Sequence, residues 1–76
     1  MMVELTIGES MKRARKKRGI TGRKLADLTG YCPTQISQWE NDKQRPSLVA
    51  VIDVADALGV SIDELIGHEV RNVRNS

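Results

Sequence analysis

Phenylalanine is absent from this 76-residue chain, and its only aromatic side chains are one tyrosine, Tyr31, and one tryptophan, Trp39. That scarcity excludes a surface that holds single strands by stacking bases on successive rings. The single cysteine, Cys32, excludes an intramolecular disulfide framework and fits a reducing cytoplasm. The single histidine, His68, has no second His or Cys at ligand spacing, so no metal site is expected. No apolar run approaches the roughly twenty residues that span a bilayer. The first nine residues also lack the basic start and apolar stretch of a signal peptide. There is no phosphate-binding glycine loop, no nucleophile–base pair and no pair of carboxylates with an evident cleft, so neither an enzyme nor a cofactor is expected.

What is present is charge, unevenly placed. Hydrophobic residues make up 39% of the chain, enough for one modest core, and the net charge is +2. Residues 1–45 carry ten Lys and Arg against five Asp and Glu, whereas residues 46–76 carry two against five. Such a molecule has a basic end and an acidic end, and it will orient itself near a polyanion. Six of the basic residues cluster as Lys12, Arg13, Arg15, Lys16, Lys17 and Arg18. Taken alone, that cluster reads equally well as a solvated helix face.

Punctuation divides the chain into five short helices, with no strand pattern and no repeat. Thr6 to Glu9 forms a capping box, and Ile7, Met11 and Ala14 follow at helical spacing up to a stop at Gly19. Thr21 caps a second helix, carrying Leu25, Ala26 and Leu28, that closes at Gly30. A third begins at Cys32 and Pro33, proline being best tolerated in the first turn, and its apolar stripe is Ile36 and Trp39. Asn41 to Pro46 is a polar connector. Ser47 caps a fourth helix, Leu48 to Leu58, in which nine of eleven residues are apolar. A helix so greasy is expected to be buried on nearly every side, as the centre of the core or part of a dimer contact. Ser61 to Glu64 is a second capping box, opening a fifth helix that stops at Gly67. These boundaries predict a domain over 1–67 and a polar tail over 68–76, where Val70 and Val73 could pack if helical.

Function is concentrated between Thr21 and Glu40. Two helices of about eight residues joined by a glycine-containing turn have the geometry of a helix-turn-helix. Ala26 is small where the helices must cross closely, and Gly30 sits where the chain must leave the first helix with positive φ. Leu25, Ile36 and Trp39 point inward, which leaves Thr34, Gln35, Ser37 and Gln38 outward on the third helix. Such uncharged side chains suit the major groove, where an amide can bridge N6 and N7 of adenine.

In order and spacing, LA with a glycine four residues after the alanine, then ISQWEN, P-S-L and ALGVSIDELIG combine into one pattern. From Ile7 to Gly67 the chain resembles the helix-turn-helix domain shared by lambdoid phage repressors, Cro proteins and xenobiotic-response-element-type bacterial regulators. The resemblance implies an all-α, five-helix, lambda-repressor-like fold with the helix-turn-helix in helices 2 and 3. It implies a bacterial or phage transcriptional regulator, most simply a repressor, that binds double-stranded DNA. Thr34 and Gln38 match the family's main base-contacting positions, with Pro33, Gln35 and Ser37 as secondary candidates. Asn41 matches a phosphate-contacting position, and Lys43, Gln44 and Arg45 lie in the connector that follows the sugar–phosphate backbone. Arg15 and Glu40 match a partly buried salt bridge between the first and third helices.

Three departures bear on detail. Gly22 stands where the family commonly has a phosphate-contacting Gln, so that contact falls to the Gly22 amide or to Arg23. Cys32 replaces the usual Ser or Thr cap, and a thiol caps poorly. Asp42 replaces the usual Gly, although Asp can adopt a left-handed conformation. Tyr31 is either a lid on the core or a hydroxyl donor to phosphate. Cys32 at a helix N-terminus suggests redox sensitivity, but the simpler reading is a small residue at the turn. Because one recognition helix reads only a few base pairs, a homodimer is expected. No small-molecule ligand or membrane association is evident. The rival is a protein-interaction module on the same fold, such as an antitoxin or adaptor.

Overall fold

The computed structural model describes residues 5–66, which fold as helices without a strand among them. The helices are α1 (Ile7–Arg18), α2 (Gly22–Thr29), α3 (Pro33–Glu40) and α4 (Leu48–Leu58). A further helical run, α5, covers 62–66. The expected stop at Gly67 and the tail 68–76, with His68, Val70 and Val73, lie outside the described residues. None of the described helices is long and apolar enough to cross a membrane.

Four of the five described helices, all but α3, start where a hydroxyl side chain meets an orphan amide. The Thr6 hydroxyl accepts from the Glu9 amide at 3.0 Å, Thr21 from Lys24 at 3.0 Å, Ser47 from Ala50 at 3.1 Å and Ser61 from Glu64 at 3.3 Å. Gly19, Gly30 and Gly59 end α1, α2 and α4. At Gly30 the φ of +83° sets the angle at which α3 leaves α2, a conformation that costs a Cβ-bearing residue roughly 1 kcal/mol.

Packing of α1 on α3 and α4, and of α2 on the same two helices, encloses one core. Its members are Met11, Leu25, Ala26, Ile36, Trp39, Ala50, Val51, Val54, Ala55, Leu58 and Leu65. Trp39 is therefore a core residue, and Tyr31 meets it edge-on, with ring centroids 5.0 Å apart and planes at 76°. The expectation of an α4 buried on nearly every side is corrected. Ala50, Val51, Val54, Ala55 and Leu58 are buried, but Leu48 and Val49 in its first turn are 65% and 64% exposed. No element among the described residues covers them. Leu28 on α2 is likewise half exposed.

Backbone contact between α1 and the end of α3 is very close. A Cβ at Gly8 would lie 2.1 Å from the Trp39 carbonyl oxygen and 2.6 Å from Asp42 Oδ1. Glycine at position 8 thus permits an approach that no other residue would.

Candidate nucleic-acid interface

The two helices of the Thr21–Glu40 segment are fixed to the core from one side only. Ile36 and Trp39 hold α3 down, while Pro33, Thr34, Gln35 and Ser37 are exposed and Gln38 is partly so. Pro33 occupies the first turn, where its missing N–H breaks no helical bond. Gln35 is the first candidate whose surroundings narrow its role. Its Oε1 accepts from the Cys32 amide at 3.1 Å, the return half of a capping box. The weak thiol cap at Cys32 is thereby supplemented by a residue inside the helix. Thr34, Ser37 and Gln38 remain as the outward polar row.

Glu40, the only acid in α3, is turned away from that row. Arg15 Nε and Nη2 reach its two carboxylate oxygens at 2.7 and 2.9 Å, a bidentate pair with side chains 13% and 5% exposed. Arg15 Nη1 also donates to the Ile20 carbonyl at 2.9 Å, so the guanidinium ties α1 to both α3 and the start of the α1–α2 loop. The hydrogen bond to Glu40, with its charge behind it, raises the Arg15 pKa against the opposing effect of burial. The Glu40 carboxylate is thus held facing Arg15, inside the fold.

Beyond α3 the connector folds back on the helix end. The amides of Lys43 and Gln44 both donate to the Gln38 carbonyl, at 2.9 and 3.3 Å. Asp42 takes φ +60°, the left-handed conformation the family's glycine would supply. Its Oδ2 accepts from the Thr6 hydroxyl at 2.9 Å, which offsets part of the strain by tying the turn to the start of α1. Asn41 ends α3 with its Nδ2 on the Ser37 carbonyl at 2.9 Å and on Ser37 Oγ at 3.3 Å. Lys43, Gln44 and Arg45 are exposed along the connector, and Arg23 is exposed beside the partly covered Gly22 at the start of α2. Exposed basic groups therefore stand in the chain both before α3, at Arg23, and after it, at Lys43 and Arg45.

Of the two roles open to Tyr31, its surroundings favour the lid on the core. Its hydroxyl donates to Asp53 Oδ2 at 2.6 Å, from the α2–α3 turn across to α4. A phosphodiester only accepts hydrogen bonds, so a hydroxyl whose proton is held by Asp53 has none to offer. The Tyr31 ring lies edge-on against Trp39 and its polar tip is anchored on Asp53. Sequence reasoning missed that partner because the two residues stand 22 apart and neither belongs to a motif. It also missed Arg18, whose Nη1 donates to the Leu58 carbonyl at 3.1 Å and caps α4. Two of the six clustered cations, Arg15 and Arg18, thus serve the fold.

Comparison with known proteins agrees with this geometry. Residues 11–65 match the family described as Helix-turn-helix. The chain is 32% identical over 65 residues to the immunity repressor protein of Bacillus phage phi105, covering 86% of this chain. It spans 45% of that relative's length, so the match concerns only part of the larger protein. The P22 c2 repressor, solved with a synthetic operator, superimposes with a TM-score of 0.74 at 31% identity, over 80% of this chain and 92% of that one. SinR, a master regulator of biofilm formation solved with DNA, gives 0.76 at 31% identity, over 80% and 98%.

Proposed function

This chain belongs to the helix-turn-helix family, and on that premise we propose that it reads double-stranded DNA through the major groove and represses transcription of bacterial or phage genes. α3 is the recognition helix. Thr34 and Gln38 contact base edges, Ser37 and Pro33 lie beside them, and Gln35 contributes mainly by holding the helix start. Arg23 and the Gly22 amide meet phosphates on one flank, and Lys43, Gln44 and Arg45, in the connector that Asn41 opens, follow the backbone on the other. The P22 c2 repressor and SinR were each solved with DNA, which favours the same mode here.

One observation carries the reading: the exposed row of α3 holds neutral hydrogen-bonding groups and no carboxylate, because Glu40 is taken inward by Arg15. A protein-binding helix would be expected to expose apolar anchors on that row, and a plain phosphate binder would need Lys and Arg there. We take residues 1–67 as the DNA-binding domain and 68–76 as a polar tail, with the protein working as a cytoplasmic homodimer in recognition rather than catalysis.

The test is selection of bound sequences from a random duplex library at near-physiological salt. A pseudo-palindrome with half-sites about one helical turn apart is expected. If nothing is enriched and binding merely fades as salt rises, the major-groove reading is wrong and the antitoxin or adaptor reading takes its place.

A further inference from the structure

Asn41 stands at the family's phosphate-contacting position, but its side chain faces inward. An amide nitrogen has two hydrogens to give, and both acceptors of Asn41 Nδ2 lie one turn back in α3, on Ser37. Its Oδ1 accepts from Lys12 Nζ at 3.3 Å. The orientation of this amide is fixed chemically, since an ammonium can only donate and must face oxygen. No N–H of the Asn41 side chain is left for a phosphate oxygen, and its backbone amide is spent on the Ser37 carbonyl at 3.0 Å.

The group at that spot with hydrogens to spare is the Lys12 ammonium. It carries three donors, one of which goes to Asn41. Among the described residues no carboxylate pairs with its charge. Lys12 is partly buried on α1, which limits the rotamers it would lose on binding. A cation held beside the end of the recognition helix, uncompensated and with spare donors, is what a backbone phosphate requires.

Resting on the DNA-binding reading above, we propose that Lys12 is a direct phosphate contact and that Asn41 is its positioning residue. Asn41 holds the ammonium against the end of α3 and in the same network fixes Ser37, whose own hydroxyl proton stays available to the groove. α1 then belongs to the interface, not only to the scaffold, and the basic cluster divides by role. Arg15 and Arg18 brace the fold, while Lys12 meets DNA.

The experiment measures affinity for a mixed-sequence duplex of about two helical turns across a salt series, for the wild type, Lys12→Met and Lys17→Met. The two variants remove the same charge from the same helix. Lys12→Met should weaken binding to all sequences alike and make the slope of log K against log salt shallower by about 0.9. Lys17→Met, one and a half turns further along α1, should leave the slope close to wild type. A double-mutant cycle of Lys12→Met with Asn41→Ala should be non-additive, Asn41→Ala costing less once Lys12 is gone. Equal slopes for Lys12→Met and the wild type, or an additive cycle, overturn the assignment while leaving DNA binding standing. A wild-type protein with no affinity for the duplex at low salt overturns the DNA reading, and this inference with it.

Discussion

Arg15 and Glu40 show how a single pair can serve stability and function together. Glu40 is 5% exposed, and its two oxygens are both met by one guanidinium. Removing one partner strands a charge, whereas removing both leaves an apolar gap that packing can fill. Arg15→Met should therefore cost about 3–5 kcal/mol in denaturant unfolding, a large part of what a domain of this size has. Arg15→Met combined with Glu40→Leu should recover much of that loss. Equal destabilisation by the single and the double variant would mean that α1–α3 packing, not the stranded carboxylate, sets the cost. Tyr31 offers a pH test at the same scale. The hydrogen bond to Asp53, with smaller contributions from burial and the carboxylate charge, pushes its phenol above the ordinary value of 10.0. A raised pKa gives stability that is complete below the unfolded-state value and is lost as pH rises through the folded one. Tyr31 is the only tyrosine, so the phenolate absorbance band reports it alone. That band should emerge later in alkaline titration of the folded protein than of the denatured protein, and Asp53→Asn should shift it back. Coincident titrations would show that the bond to Asp53 does not persist in solution.

Between helices, two glycines with opposite surroundings make a matched experiment. Both lie in first turns, where alanine favours a helix over glycine by up to about 1 kcal/mol. At Gly22 the nearest contact for an added Cβ is Ile36 Cγ2 at 4.0 Å, an ordinary distance. Gly22→Ala should raise stability by about 0.5–1 kcal/mol. At Gly8 the Cβ would meet the Trp39 carbonyl at 2.1 Å, so α1 must move off the end of α3. Gly8→Ala should lower stability by about 1–3 kcal/mol despite its better helix propensity. Thermal melts of the two variants in parallel decide it, and a stabilising Gly8→Ala would refute the close approach. The same elements show what could be read in advance. Thr6, Thr21, Ser47 and Ser61 all cap helices, and Gly19, Gly30 and Gly59 all end them, because caps and stops are local chemistry written within four residues. Ile36 and Trp39 could be placed inside from their spacing alone. The exposure of Leu48 and Val49 could not be, since it depends on which neighbours happen to cover the first turn of α4. Nor could the bonds of Tyr31 to Asp53, Thr6 to Asp42 and Lys12 to Asn41, each joining residues more than 20 positions apart without a motif between them. Of the interface, the row on α3 was legible in the periodicity. The use of Gln35 as a cap became visible only with the helix start in place.

At the scale of the whole molecule, charge and size set how DNA can be engaged. On the reading proposed above, the surplus of cations in residues 1–45, the stretch that includes α3, and of anions in 46–76 would favour an approach to DNA with α3 leading. A single α3 of eight residues reaches only a few base pairs, too few to single out one site among many. Two copies bound to one face of the duplex would double the reading length, provided that their half-sites lie one helical turn apart. This arrangement predicts a phase dependence that a monomer would not show. Inserting about five base pairs between the half-sites turns the second to the opposite face of the duplex, where two contacting copies cannot both reach. Affinity for that site should drop to the level of a duplex carrying one half-site, and the binding curve should lose its sigmoidal form. Fluorescence anisotropy on labelled duplexes with the original and the lengthened spacing measures both effects. If the insertion leaves affinity and curve shape unchanged, each chain binds its half-site alone. Specificity would then have to come from a longer contact per copy than α3 and its connector provide.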